Sequence, residues 1–248
     1  MQASSSVTTS QAQVLKPPSQ LNLGDGLIHA NEKKLSSFST LKGRVGIFGG
    51  TFDPPHEGHL ILAQEMKRLH NLDAVVFIPA KQNPLKHSGP IASDEQRLTL
   101  TALAIRDLPG MYVSDIQHRL PSPSYTIDMM AAIKAENGGD AQFFILCAAD
   151  IIEDLHKWKN VTALNRQAPF LIGTRPGVAV SDSSLAKLDA EVAKQVRQGL
   201  TEIHSKAASS TALRDALKRN SSQEELQALG LEPLTARYIR ETSIYGPE

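Results

Sequence analysis

Cysteine is nearly missing from this chain of 248 residues: Cys147 is the only one. A lone thiol excludes an internal disulfide framework and any cysteine-built zinc site. It suits a reducing compartment, so the cytoplasm is the expected location. Net charge is missing too. With 26 basic and 26 acidic side chains the formal charge is zero, which argues against a polyanion-binding surface spread over the molecule and against nucleic acid as a partner. A local basic pocket remains compatible with it. No apolar run approaches the ~18 residues of a membrane span, so no membrane is expected as a partner either. The first 43 residues lack the basic start and apolar core of a secretory signal. No arginine precedes Arg44, which speaks against a mitochondrial transit peptide.

What is present is an ordinary globular composition, 41% hydrophobic and 21% charged, on a chain long enough to bury a substantial core. Residues 1–43 are the exception. MQASSSVTTSQAQVLKPPSQ is rich in Ser, Thr, Gln and Pro and has almost no apolar period. The stretch is expected to be a disordered, mobile tail with a short ordered segment near Leu35–Leu41. Residues 44–248 read as one domain.

From Arg44 onward, apolar strands alternate with amphipathic helices. RVGIF (44–48), AVVFIPA (74–80), MYVSDI (111–116), QFFILCA (142–148) and PFLIGT (169–174) have the length and β-rich composition of buried strands. Between them, 58–70 places Leu62, Met66 and Leu69 at helical spacing. Residues 93–107 open with Ser93 and Gln96 as a capping box, and 124–139 close on glycines. DIIEDLHKW (150–158) reads as helical, as does most of 184–245. Strands separated by helix-length segments need crossovers, so the expected fold is α/β: a doubly wound, largely parallel, Rossmann-like sheet with a helical C-terminal part. Ligands of such sheets bind outside the carboxyl ends of the strands, where the loops 49–58, 80–90, 148–150 and 174–177 should gather.

The first of those loops carries the densest chemistry, in VGIFGGTFDPPHEGHL (45–60). The Rossmann fingerprint and the Walker A pattern are both absent. A zincin needs two histidines at i, i+4, whereas His56 and His59 stand at i, i+3 with Gly58 between them and no third ligand suggested nearby. A phosphate site fits better. Gly49 and Gly50 permit close approach and positive φ, Pro54 and Pro55 stiffen the turn, and the helix starting near Gly58 aims its N–H groups back at the loop. Two imidazoles there can donate to phosphate oxygens. The residues alone leave open a plain strand–helix turn with two solvated histidines.

The whole string is more specific. GGTFDPPHEGH closely resembles the signature G-G-[ST]-F-D-P-x-H-x-G-H of the nucleotidylyltransferase superfamily, and within it the chain looks like the bacterial nicotinate-nucleotide adenylyltransferases. NPLK (83–86), PSYTID (123–128), Asp150 followed by Trp158, TRPG (174–177) and SSTALR (209–214) match further segments in the family's order, over about 44–245. The resemblance implies adenylyl transfer from ATP to nicotinate mononucleotide in NAD biosynthesis, with Mg²⁺ carried by ATP and no protein metal site. A homo-oligomer is compatible with it. It implies that His56 and His59 are the catalytic pair, stabilising charge as pyrophosphate leaves. Gly49, Gly50, Thr51, Phe52, Lys86, Ser210, Thr211 and Arg214 are expected on the ATP phosphates. Thr126, Asp150 and Trp158 are expected to hold the mononucleotide, with Arg175 reaching towards the adenine end.

Two departures stand out. The family's G-x-D is Ala148-Ala149-Asp150 here, and if that backbone needs positive φ, alanine costs about 1 kcal/mol. The lead-in to SSTALR is the polar HSKAA, which leaves a last strand there undefined. The rivals are a transferase acting on nicotinamide mononucleotide or phosphopantetheine, a non-catalytic nucleotide sensor, and a metal hydrolase built on the two histidines.

Overall fold

The computed structural model describes residues 27–29, 34–35, 38–81, 89–177, 180–204 and 208–246. Eight strands form one sheet: β1 (Leu27–His29), β2 (Lys34–Leu35), β3 (Gly43–Gly50), β4 (Ala74–Pro79), β5 (Met111–Ser114), β6 (Ala141–Ala148), β7 (Phe170–Thr174) and β8 (Leu200–Glu202). Their order is β2-β1-β5-β4-β3-β6-β7-β8. The six from β5 to β8 are parallel. Counted along the chain from β3, they follow the order 3-2-1-4-5-6 of a doubly wound sheet, with the reversal between β3 and β6. The expected fold class is present.

The inner strands β3, β4, β6 and β7 are buried on both faces, as parallel strands covered by crossovers must be. Alternate side chains therefore feed two cores. Val45, Ile47, Val76, Ile78 and Ile145 face one cluster. Phe48, Val75, Phe77, Phe144 and Leu146 face the other. The first cluster is closed by α4 (Thr126–Asn137), α5 (Val161–Gln167) and α7 (Ala190–Gly199), after the shorter α3 (Ile116–Arg119) and with α6 (Asp182–Leu185) alongside. The second is closed by α1 (Glu57–Leu69) and α2 (Asp94–Ala104). A third cluster joins α2 to α8 (Ser210–Lys218), α9 (Gln223–Ala228) and α10 (Pro233–Glu241). Among the described residues no helix is long and apolar enough to cross a membrane.

Local signals explain several boundaries. Ser93 Oγ accepts from the Gln96 N–H at 3.2 Å while Gln96 Oε1 accepts from the Ser93 N–H at 2.8 Å, the reciprocal cap expected from the sequence. Gly138, at φ 72°, ends α4 in the left-handed conformation. In α1, Leu62 and Met66 are buried, but Leu69 is 41% exposed and does not extend the apolar face.

Two expectations need correction, on 150–158 and on where ordered structure begins. Residues 150–158 do not form one helix. They are two 3₁₀ turns, Ala149–Glu153 and Leu155–Lys157. The C-terminal part is mostly helical, as expected, and also contributes a short strand, β8, which pairs with β7 through Leu200–Glu202. Ordered structure also begins before Arg44. β1 pairs antiparallel with β2 and β5, and Phe38 and Leu41, within the segment expected to be ordered, are core residues. Asn137 anchors that segment by donating to the carbonyls of Phe38 (2.8 Å) and Leu41 (2.9 Å), while its Oδ1 accepts from the Ala141 N–H (2.8 Å).

Candidate active site

A cleft of about 1000 Å³ opens at the carboxyl ends of the strands. Its floor is where β3 and β6 diverge, so the GGTFDPPHEGH turn and the Ala148–Asp150 turn form facing walls. This is the crevice that a doubly wound sheet offers to a ligand.

The turn after β3 is shaped by a local strain and its compensation. Neither Gly49 nor Gly50 has positive φ; the left-handed residue is Phe52, at φ 49°. A non-glycine residue in that region costs about 1–2 kcal/mol. The ring is held by burial, 5.4 Å from the Phe48 centroid, 5.5 Å from Phe77 and 5.0 Å from His59. A Cβ on Gly50 would lie 2.7 Å from the Phe52 ring, whereas Gly49 has open space. Gly50 therefore admits the aromatic anchor, and Gly49 leaves the strand end open to the cleft. Phe52 itself is core and does not line the cleft, unlike Gly49, Gly50 and Thr51.

His56 precedes α1 as its N-cap, and His59 lies one turn into it. Both line the cleft, with rings stacked 3.8 Å apart at 24°. The His56 N–H donates to His59 Nδ1 at 3.2 Å. That bond requires an unprotonated Nδ1, so neutral His59 carries its proton on Nε2. Gly58 lets the pair close up, since a Cβ there would sit 3.2 Å from the His56 ring. Burial pulls the His56 imidazole down from its ordinary 6.5 to about 4, and the charge of Arg175 adds to the fall. Burial, then the His56 charge, holds His59 well below 6.5. Two neutral imidazoles thus face the cleft at neutral pH, in a setting where an entering anion would favour their protonation.

Opposite them, Asp150 and Trp158 line the cleft from the two 3₁₀ turns. The Trp158 ring is partly buried, edge-on to Phe170 with centroids 6.0 Å apart. Ala148 has φ −84° and ψ 158°, an extended conformation that alanine adopts without cost. The departure from G-x-D therefore strains nothing. Thr126 is the first residue of α4, whose N-cap Tyr125 makes no side-chain cap, so that helix end presents backbone donors to the cleft. Arg175 lines the rim and is exposed. Cys147 also lines the cleft, but burial pushes its thiol up to about 12, so it stays protonated and unreactive.

The remaining expected residues sit elsewhere. Ser210, Thr211 and Arg214 lie behind the turn. Ser210 Oγ donates to the Pro54 carbonyl at 2.9 Å. Arg214 donates to the Asp53 carbonyl at 2.8 Å and to Thr211 Oγ1 at 3.1 Å. Ser210 and Arg214 hold the backbone of the turn after β3, Thr211 braces Arg214, and none of the three lines the cleft. Lys86 lies outside the described residues.

Sequence reasoning missed Lys159 and Arg97. Lys159 lines the cleft, with Nζ 2.9 Å from Asp128 and 4.7 Å above the Tyr125 ring, so it ties the Trp158 wall to the start of α4. Arg97, fully buried, donates to the Thr51 carbonyl at 2.8 Å and to Asp94 at 2.5 Å. Its place in a charged helical stretch gave no sign of burial. Among the described residues, no group of three His, Cys, Asp or Glu side chains could hold a metal ion.

The comparisons with known proteins converge on this geometry. The Cytidylyltransferase-like family model matches residues 47–216. A probable nicotinate-nucleotide adenylyltransferase of Moorella thermoacetica is 34% identical over 208 residues, 84% of this chain and 94% of that protein. One from Symbiobacterium thermophilum is 36% identical over 204 residues, covering 82% and 95%. Among solved structures, the Plasmodium falciparum nicotinic acid mononucleotide adenylyltransferase complexed with NaAD superposes with a TM-score of 0.65 over 82% of this chain and 97% of that one. At 19% identity that likeness speaks for the fold. With the GGTFDPPHEGH turn at the sheet's switch point and relatives matched over nearly their whole length, the chain belongs to the cytidylyltransferase-like family, among the nicotinate-nucleotide adenylyltransferases.

Proposed function

We propose that this protein transfers the adenylyl group of ATP to nicotinate mononucleotide, giving deamido-NAD and pyrophosphate. The observation that carries the reading is the stacked His56–His59 pair facing Asp150 and Trp158 across one cleft at the switch point. One wall suits a triphosphate, the other a ribose and a flat ring, and the relatives named above bear the same activity in their names.

The chemistry needs no covalent intermediate. A phosphate oxygen of the mononucleotide, ionised at neutral pH, attacks the α-phosphorus of ATP. That P–O bond forms as the bond from the α-phosphorus to the bridging oxygen breaks, and pyrophosphate leaves with the electron pair. Catalysis is then positioning and charge stabilisation. His59 offers its Nε2–H to phosphate oxygens, and both imidazoles gain basicity as the anion enters, which places positive charge where the leaving group develops it. Asp150 accepts from ribose hydroxyls and Trp158 packs on the pyridine ring. Lys159, Arg175 and the start of α4 give this side donors and positive charge suited to an anionic mononucleotide. Mg²⁺, brought by ATP, would neutralise phosphate charge beside the His56–His59 wall of the cleft. Residues 44–248 act as a single catalytic unit in this reading.

The test is pyrophosphate release by the purified protein with ATP, Mg²⁺ and either nicotinate or nicotinamide mononucleotide. Release with the nicotinate form, and a fall of about a hundredfold in kcat for His56→Ala, are expected. A variant within about threefold of wild type would refute the role of the histidine.

A further inference from the structure

The turn that carries His56 is held almost entirely from outside itself. Its Thr51, Asp53 and Pro54 carbonyls are taken by Arg97, Arg214 and Ser210. The Glu57 N–H donates to the Gly230 carbonyl at 2.8 Å. At the centre lies the Asp53 side chain, only 4% exposed. Its Oδ2 accepts from the Ile91 N–H at 2.8 Å. Its Oδ1 accepts from the Ala92 N–H at 3.0 Å and from the Tyr245 hydroxyl at 2.6 Å.

A buried carboxylate is costly unless its oxygens are satisfied. Among the described residues none forms an ion pair with Asp53, so two backbone N–H groups and one phenol do that work. The phenol is the shortest of the three bonds and comes from 192 residues away in sequence. Burial, and then the bond to Asp53, hold the Tyr245 hydroxyl far above its ordinary value, so it donates at every working pH. The ring itself packs with Leu217, Ile239 and Ile244 in the C-terminal core, on the side of α8 and α10.

We infer that Tyr245 is a positioning residue for the nucleotide-holding turn: through Asp53 its hydroxyl fixes the register in which His56 and His59 face the cleft. The C-terminal helices are thereby part of the ATP-holding half of the site, although they place neither Arg214 nor Tyr245 in the cleft. Losing the hydroxyl leaves one Asp53 oxygen with a single donor three residues before His56. The turn then loses the side-chain bond that ties Asp53 to the C-terminal core. The mononucleotide wall, built on β6 and the 3₁₀ turns after it, shares none of these bonds.

This inference rests on the reaction proposed above, and the experiment separates the two. Tyr245→Phe keeps the ring and removes only the hydroxyl. Expected are a fall of about tenfold in kcat/KM for ATP, a KM for nicotinate mononucleotide within about twofold of wild type, and a thermal midpoint close to wild type. Asp53→Asn should show the same one-sided loss, and the double variant should be no worse than the worse single one. Ile244→Val, a packing change beside Tyr245 that leaves Asp53 alone, should leave ATP kinetics intact. Wild-type ATP kinetics in Tyr245→Phe, or equal losses for both substrates that follow the thermal midpoint, would overturn the positioning role. Should Tyr245→Phe fail to fold, Asp53→Asn decides by the same two criteria. A wild-type protein that releases no pyrophosphate would overturn the assigned reaction instead.

Discussion

Acid should weaken this protein through the histidine pair, and the size of the effect follows from where the rings lie. His56 titrates at 6.5 when unfolded and at about 4 in the folded chain, chiefly because burial disfavours the imidazolium. Below pH 6.5 the unfolded chain therefore binds a proton that the folded chain refuses. Stability falls as the pH drops through that window and levels off below about 4. Above pH 6.5 both states are neutral and the group contributes nothing. Between pH 7 and pH 5 the difference integrates to about 2 kcal/mol for His56 alone, with His59 adding in the same direction. Urea unfolding at the two pH values measures this directly, and ~2 kcal/mol corresponds to a midpoint shift of roughly 1 M. His56→Asn removes the titration while keeping a residue suited to the N-cap position. The variant should lose about 2 kcal/mol less than wild type on going from pH 7 to pH 5. Saturating ATP should shrink the wild-type loss, since phosphate charge favours the imidazolium. Equal losses in the two proteins, to within about 0.5 kcal/mol, would refute the claim that His56 is held neutral by burial.

Two further outcomes are expected. Trp158→Ala should raise KM for the mononucleotide at least tenfold while leaving KM for ATP within about threefold, as read in the pyrophosphate assay; equal effects on both would place the ring elsewhere than in the mononucleotide subsite. Asn137→Ala takes the side-chain partner from the Leu41 carbonyl and the Ala141 N–H, and one of two donors from the Phe38 carbonyl, which keeps the Leu41 N–H, so it should destabilise by about 2–3 kcal/mol in urea. It lies at the opposite end of the sheet from the cleft, so both KM values should stay at wild type.

Much of the site was legible because it is local. The run of glycines, prolines and histidines after β3 carries its own turn, and β-rich strands separated by helical lengths dictate a parallel sheet. The rest depends on distance or on competition. β8 is a three-residue strand with a polar side-chain pattern, present because its backbone completes the β7 edge, so no periodicity announces it. Asp150 and Trp158 both reach the cleft because the chain between them turns twice in tight 3₁₀ form, although its composition also suits one helix. Order near Leu35–Leu41 was legible, but the tie of Phe38 and Leu41 to Asn137, nearly a hundred residues on, was not. The Asp53–Tyr245 bond had no sequence signal beyond an aspartate inside a motif. Arg214 is a different case. The motif marks it as a phosphate ligand, and the structure shows it binding the carbonyl of Asp53.

The sheet order also governs how the chain must be made. β3 is central, with Val45 paired to Ala74 on one side and to Phe143 on the other. During synthesis the first partner arrives early, and the second, Phe143, lies 69 residues beyond Ala74. In the interval one flank of an apolar strand has no neighbour, a state that invites pairing with other nascent chains. Slow refolding at high protein concentration, and relief of it by dilution or by a holding chaperone, are the natural companions of an active site built at the seam between β3 and β6.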